Sequence, residues 1–423
     1  MSKMKTLFFL VLAAGFVFSL TLVNSCQNLS TSGETYVLNV NLDNAGDRCF
    51  NITNNSVTFA CNGNYIDGTG AGGGTAVYNS GYNGTNIENC TIQEFENGMH
   101  FSSTFNISLS NISVSSINSE GLYFDQAYGV SLDGFEGTGG NGKLTYFINS
   151  ENISIADVYF HNADTGIHVE DSYNLTIQEF EAANLSGATD RGTGILVNGL
   201  ELCEVSDINI YNTSSLAVYL WNISDCDLHD VVADYGSYSP GTDGLVSVHG
   251  PLGYFDPAPN TNVWNIEASR SYANATNLSG CVGVSVSYGL VENITAHDCK
   301  MSGIGAILGN ASTGRNFLAY DNGMGGVVLI AGLENISSIP FAPSLPVLWD
   351  PEDEGPAEAY DITAYGNGWI GALPVVMNHS NITNLQAYDT GQNYWDINLS
   401  AICDPFGIGF CINLTNDSRF AGS

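Results

Sequence analysis

Ile87-Glu-Asn89-Cys-Thr-Ile92 is followed 22 residues later by Leu109-Ser-Asn111-Ile-Ser-Val114, and the phrase keeps returning. It reads Ile155-Ala-Asp157-Val-Tyr-Phe160, Val205-Ser-Asp207-Ile-Asn-Ile210, Val291-Glu-Asn293-Ile-Thr-Ala296 and Ile382-Thr-Asn384-Leu-Gln-Ala387, with weaker copies near Leu132 and Ile177. After each phrase comes a second short apolar run that usually opens on glycine. Gly121-Leu-Tyr-Phe124, Gly166-Ile-His-Val169, Gly283-Val-Ser-Val286 and Gly326-Val-Val-Leu329 are examples. Runs this short, punctuated by Asn, Asp and Gly, lack the helical period and read as strands. A fixed step of this size marks a stacked architecture in which no repeat can bury its apolar side alone. About three short strands per step make one coil, so the chain is expected to be all-β. It should form a single right-handed parallel β-helix of about 12–14 coils with a disulfide-bonded N-terminal cap. A propeller needs longer antiparallel strands and a longer period. The recurring Asn or Asp is expected to point inward at a corner and to bond its counterpart one coil away.

Around this body the sequence divides into four parts. Residues 1–25 carry two lysines, an apolar run and small polar residues, the pattern of a secretory signal or an N-terminal anchor. Residues 26–56 are expected to cap the first coil, because an open coil edge templates unwanted pairing. The β-helix follows over 57–400, interrupted by insertions at 235–262 and 337–359, and 401–423 form a C-terminal cap. Export makes the ten cysteines readable as disulfides. Local couples pair Cys203 with Cys226, Cys281 with Cys299 and Cys403 with Cys411. Cys26, Cys49, Cys61 and Cys90 pair among themselves in an order the spacing leaves open. No Cys-x-x-Cys occurs, which argues against a zinc or thioredoxin-type site.

The formal net charge is −34 although only 12% of residues are charged. With only nine Lys and Arg available to neutralise phosphates, nucleic acid and anionic membrane are poor partners, and no nucleic-acid binding is expected. No membrane insertion is expected beyond the N-terminal anchor.

Phe59-Ala-Cys61-Asn-Gly63-Asn-Tyr-Ile66-Asp-Gly68, followed by Asn86-Ile-Glu-Asn-Cys90-Thr-Ile92, resembles the opening of exported right-handed β-helix repeat proteins of the NosD-like and pectate-lyase-like kind. The resemblance spans nearly all of residues 50–400, but its motifs specify coils rather than chemistry. It implies an exported β-helix. Such proteins include polysaccharide lyases, glycosidases, epimerases, adhesins and surface-layer components, so the fold chooses no activity.

Candidate sites are sparse. Asp225, Asp227, His229 and Asp230 form the densest acid–imidazole group and are the catalytic candidates, with Asp243 and His249 a smaller pair. Asp350, Glu352, Asp353 and Glu354, in the second insertion, offer the oxygen ligands calcium prefers. No cofactor is expected, calcium at this insertion being the one candidate. Lyase chemistry needs cations beside a uronate, yet Arg48, Lys143, Arg191, Arg270, Lys300, Arg315 and Arg419 are scattered singly. Gly253-Tyr-Phe-Asp256-Pro257 resembles an epimerase motif, Tyr-Gly-Phe-Asp-Pro-His, in altered order and without its histidine. The Gly-x-Gly-x-x-Gly at Gly68, Gly70 and Gly73 precedes no helix and is a turn. Tyr219, Trp221, Trp264, Trp349, Trp369, Tyr394 and Trp395 are candidates for stacking on sugars. Among many Asn-x-Ser/Thr sequons, Asn83, Asn106, Asn152, Asn174, Asn184, Asn274 and Asn277 are the glycosylation candidates. Asn89, Asn111, Asn293 and Asn335 are set aside because the expected inward register leaves no room for a glycan.

The resulting expectation is a secreted or cell-surface glycoprotein with a structural or recognition role. Its partners would be glycans or neighbouring surface proteins, with self-assembly along the solenoid flank. The alternative is a carbohydrate-active enzyme, lyase or glycosidase, working on an extracellular polysaccharide.

Overall fold

A computed structural model describes residues 19–70, 74–187, 192–236, 244–250, 257–271, 280–323, 325–331, 357–368, 370–376, 380–388 and 397–399. Among the described residues 29 strands join in one sheet that winds as a parallel β-helix. Each strand pairs with the corresponding strand of the next coil. Thr85–Gln93 pairs with Phe105–Ile117, that with Tyr128–Gly140, and that with Glu151–His161, all parallel and in register. A second ladder runs beside it. Thr75–Ser80 pairs with Asn97–Ser102, then Glu120–Asp125, then Lys143–Ile148, then the first part of Thr165–Leu185. From Thr165 onward three strands turn the corner without a break, so Thr165–Leu185, Ile195–Thr213 and Val218–Gly236 belong to both ladders. One antiparallel pair occurs among the described residues, where Ile397–Leu399 lies along Asn381–Tyr388.

The repeated phrase supplies the core. Ile87, Leu109, Leu132, Ile155, Ile177, Val205 and Leu228 stand in one register column, and all are buried. Beneath the second ladder Phe101, Phe124 and Phe147 stack with centroids 5.1 and 4.5 Å apart and planes within 9°. Such offset ring pairs add to the free energy of burial and hold each coil in register with the next.

The recurrent Asn or Asp does not point inward. Asn89, Asn111, Asp157 and Asn293 are exposed, with φ between 51° and 54°. The chain turns a corner there, and a left-handed residue breaks the in–out alternation of the strand. Asn and Asp tolerate that conformation better than other residues with a side chain. The bonding between coils is present, but on the outer surface. Asn111 donates to Asn89 at 3.3 Å, Asn293 to Asn265 at 2.9 Å and Asn316 to Asn293 at 2.9 Å. Core crowding therefore gives no reason to set Asn89, Asn111 and Asn293 apart from the other sequons, and Asn335 lies outside the described residues.

Within the stretch 26–56, short strands pair in the same parallel manner as the body. Gln27–Leu29 pairs with Phe50–Ile52, Thr35–Leu38 with Thr58–Ala60, and Leu20–Val23 with Thr35–Leu38, all parallel. The first insertion is also interrupted. Val246–His249 is a coil strand between Val218–Gly236 and Val282–Ser287. The second insertion, apart from Ala357–Ala359, and the C-terminal cap lie outside the described residues.

Among the described residues four disulfides join Cys26 to Cys49, Cys61 to Cys90, Cys203 to Cys226 and Cys281 to Cys299. Cys203 and Cys226 are direct register partners, so this bond is a rung between coils. Cys403 and Cys411 lie outside the described residues. Cross-links of this kind persist in an oxidising compartment. No described helix is long and apolar enough to cross a membrane.

Candidate functional site

Alternation along the second ladder turns one residue outward between each pair of core residues. In successive coils the outward residue is Tyr78, His100, Tyr123, Tyr146 and His168. Each sits beside an inward Phe or aliphatic residue, so the Phe stack beneath fixes the spacing of the rings above. Their centroids follow at 5.1, 4.7, 5.4 and 4.9 Å. Two columns flank these rings. One carries Ser102, Asp125, Ile148 and Glu170; the other carries Glu120, Lys143 and Thr165.

Coil stacking thus gathers residues that are scattered along the chain. Arg48 lies 4.3 Å from the Tyr78 centroid and the Lys143 ammonium 3.3 Å from that of Tyr146. These are cation–π contacts. Lys143 is also the register partner of Glu120. Glu170 is held from both sides: it accepts from the Tyr146 hydroxyl at 2.7 Å, and its other oxygen lies 2.8 Å from His168 Nε2. Burial, and then the Lys143 charge, push the His168 imidazole down to about 4. The ring is therefore neutral at pH 7 and Nε2–H is the donor. Its Nδ1 is buried without a hydrogen-bond partner. Burial and the bond to Glu170 hold the Tyr146 phenol far above its ordinary value, and burial likewise raises Tyr123. Burial lowers His100. The flank thus presents the His100 imidazole and protonated phenols beside acidic residues, with the His168 imidazole neutral and buried.

Asp125 and Glu170 occupy the same outward column, two coils apart, with Ile148 between them. Two inter-strand steps place their backbones about 9.6 Å apart.

The four residues singled out from sequence stand on a different ladder. Asp225 accepts from Asn260 at 3.0 Å and Asp227 from Asn262 at 2.8 Å. His229 Nδ1 lies 2.7 Å from Asp230, and its ring stacks on Trp264 at 4.2 Å. The bond to His229, and then that from Asn265, hold the Asp230 carboxyl below its usual range. The three carboxylates are engaged by amides of the next coil. Trp264 is taken up by His229, while Tyr219 and Trp221 continue the outward columns of the flank.

Asp243, Asp350, Glu352, Asp353, Glu354, Trp349, Trp369, Tyr394 and Trp395 lie outside the described residues, as do Gly253 to Asp256, Asn274 and Asn277. Asn83, Asn106, Asn152, Asn174 and Asn184 are at least partly exposed on corners. Arg270 is bonded to Asp234, and Arg315 to Glu292. No group of His, Cys, Asp and Glu among the described residues could hold a metal ion.

Fold and flank together define the chain as a parallel β-helix protein with an aromatic, carboxylate-bearing outer face. It is similar in structure to the A-module of a mannuronan C-5 epimerase from Azotobacter vinelandii, with 11% identity, 90% of this chain and 92% of that one covered and a TM-score of 0.44. It is also similar to the DFA-IIIase of Arthrobacter chlorophenolicus, with 11% identity, 79% and 72% covered and a TM-score of 0.38. No family model matches the chain, and no curated protein does.

Proposed function

We propose that this is an extracellular carbohydrate-active enzyme that cleaves a neutral polysaccharide laid along the Tyr78–His168 flank. The observation that carries the reading is the pair Asp125 and Glu170, on one outward column and bordered by sugar-sized aromatic surface. Inverting glycosidases hold their two carboxyl groups roughly 6.5–9.5 Å apart, leaving room for the attacking water. A two-coil separation of about 9.6 Å in backbone lies just above that range, and the reach of the two side chains closes the difference. Glu170, anchored by Tyr146 and His168, suits the base that activates water. Asp125, beside Tyr123 and His100, suits the acid that protonates the leaving oxygen. Lys143 and Arg48 are too few to offset a chain of net charge −34, which favours a neutral chain over a polyuronate.

Recognition without cleavage is the second reading, favoured by the unbroken row of edge-to-face contacts from Tyr78 through His100 to Tyr123. Incubating the purified protein with neutral polysaccharides and polyuronates separates the two. The expected result is new reducing ends from a neutral polysaccharide, with inverted anomeric configuration in the first NMR spectra. Binding without new ends supports recognition. Unsaturated ends from a polyuronate would overturn the charge argument.

A further inference from the structure

Around the corner from the flank the wall opens into a cleft of about 550 Å³. That volume lies in the range of small-molecule sites. It is lined by Glu151, Tyr173 and Glu201, which are register partners in three successive coils, and by Asp171, Gly199 and Asn222 at the corner. The corner residues supply its polar lining. Asn149, Asp171, Gly199 and Asn222 share the left-handed conformation, but Gly199 carries no side chain. A Cβ at Gly199 would stand 2.6 Å from an Asp171 carboxylate oxygen. The absent side chain lets the Asp171 carboxylate and, 3.5 Å from the same point, the Asn222 amide close over Gly199, so polar groups line the cleft at this corner.

A second observation points to a ligand. The same register column continues below the cleft as Tyr128 and Phe105, whose rings lie 5.7 Å apart. Phe105, Tyr128 and Tyr173 are 48%, 42% and 42% exposed, so three large rings on one line face water. Beside Glu201, Leu202 is 42% exposed at φ 66°, at a corner where the coils on either side have Asn174 and Asp225. A bulky residue in that conformation is strained, and strain of this kind collects at functional sites.

We propose that this corner row is a second saccharide site, one that takes a neutral glycan with Tyr173 stacked on a sugar ring and Glu151 and Glu201 accepting from its hydroxyls. Carboxylates on both sides of Tyr173 exclude a uronate. The site does not depend on the flank's being catalytic.

The test uses full-length protein carrying Glu170→Gln, so that cleavage cannot consume the probe. Neutral hexasaccharides of β-glucose, β-xylose and α-glucose are titrated, with saturation-transfer NMR and calorimetry as readouts. At least one is expected to bind, with affinity falling about tenfold on adding Tyr173→Ala and again on adding Glu151→Gln with Glu201→Gln. Tyr173 is exposed, so its loss leaves the fold intact; unchanged circular dichroism checks this. Saturation-transfer contacts to Tyr123 mark binding at the flank and contacts to Tyr173 mark the corner, so absence of any Tyr173-dependent binding event would overturn the proposal, as would no binding by any of the three. Failure of the flank to cleave would leave this result standing, and the reverse also holds.

Discussion

Glu170 accepts a hydrogen bond from the Tyr146 hydroxyl of the preceding coil at 2.7 Å, so one coil positions the carboxylate of the next. Tyr146→Phe removes that donor without changing the ring. We expect a stability loss of about 1 kcal/mol by denaturant unfolding. The spectrophotometric titration should lose a phenol that ionises far above the ordinary tyrosine range. Cleavage should fall further than stability, because Glu170 is left held on one side only.

His168 makes the protein sensitive to acid. Its folded value, about 4, lies below the unfolded value near 6.5, so the unfolded chain binds the extra proton between those two points. The contribution of His168 is therefore complete above pH 6.5 and is lost as pH falls toward 4. The slope from this residue is at most about 1.4 kcal/mol per pH unit. Thermal melts of His168→Asn across pH 4–7 should show a shallower acid decline than wild type.

The corner ladder predicts an unusual order of substitution. Asn293 has φ 54° and bonds to neighbours above and below. Asn293→Gly should be nearly neutral, losing two exposed hydrogen bonds but relieving the backbone. Asn293→Val should cost roughly 1–2 kcal/mol by urea unfolding. A buried asparagine would give the opposite order, with glycine leaving a cavity.

Cys203 and Cys226 form a rung in the middle of the solenoid, closing a chain segment with sequence separation 23. Replacing both by alanine should cost about 3 kcal/mol. Hydrogen exchange should locate the loosening in the coils around Ile195–Thr213 and Val218–Gly236.

The core was legible because its residues repeat at a fixed step: Leu109, Ile155, Val205 and Val291, read as inward, are all buried. The orientation of Asn89 was not, because Glu88 and Asn89 both face out before Cys90 turns in. A strand period carried through a left-handed corner gives the wrong side. The flank was missed for a different reason. Tyr123 and His168 are the third residues of Gly121-Leu-Tyr-Phe124 and Gly166-Ile-His-Val169, one step apart from their neighbours in each case. Reading that third position down the repeats collects His100, Tyr123, Tyr146 and His168. Reading along the chain instead favoured Asp225 to Asp230, whose density in sequence becomes a row of ladder contacts in space. Lys143 and Arg48 look solitary for the same reason.

The most direct test of the account compares wild type with Glu170→Gln on whichever neutral polysaccharide the wild type cleaves. Loss of a general base predicts a fall of about 10²–10⁴-fold in the rate of new reducing ends, with the melting temperature little changed. Cleavage by Glu170→Gln at the wild-type rate would contradict the assignment of the flank as the catalytic face.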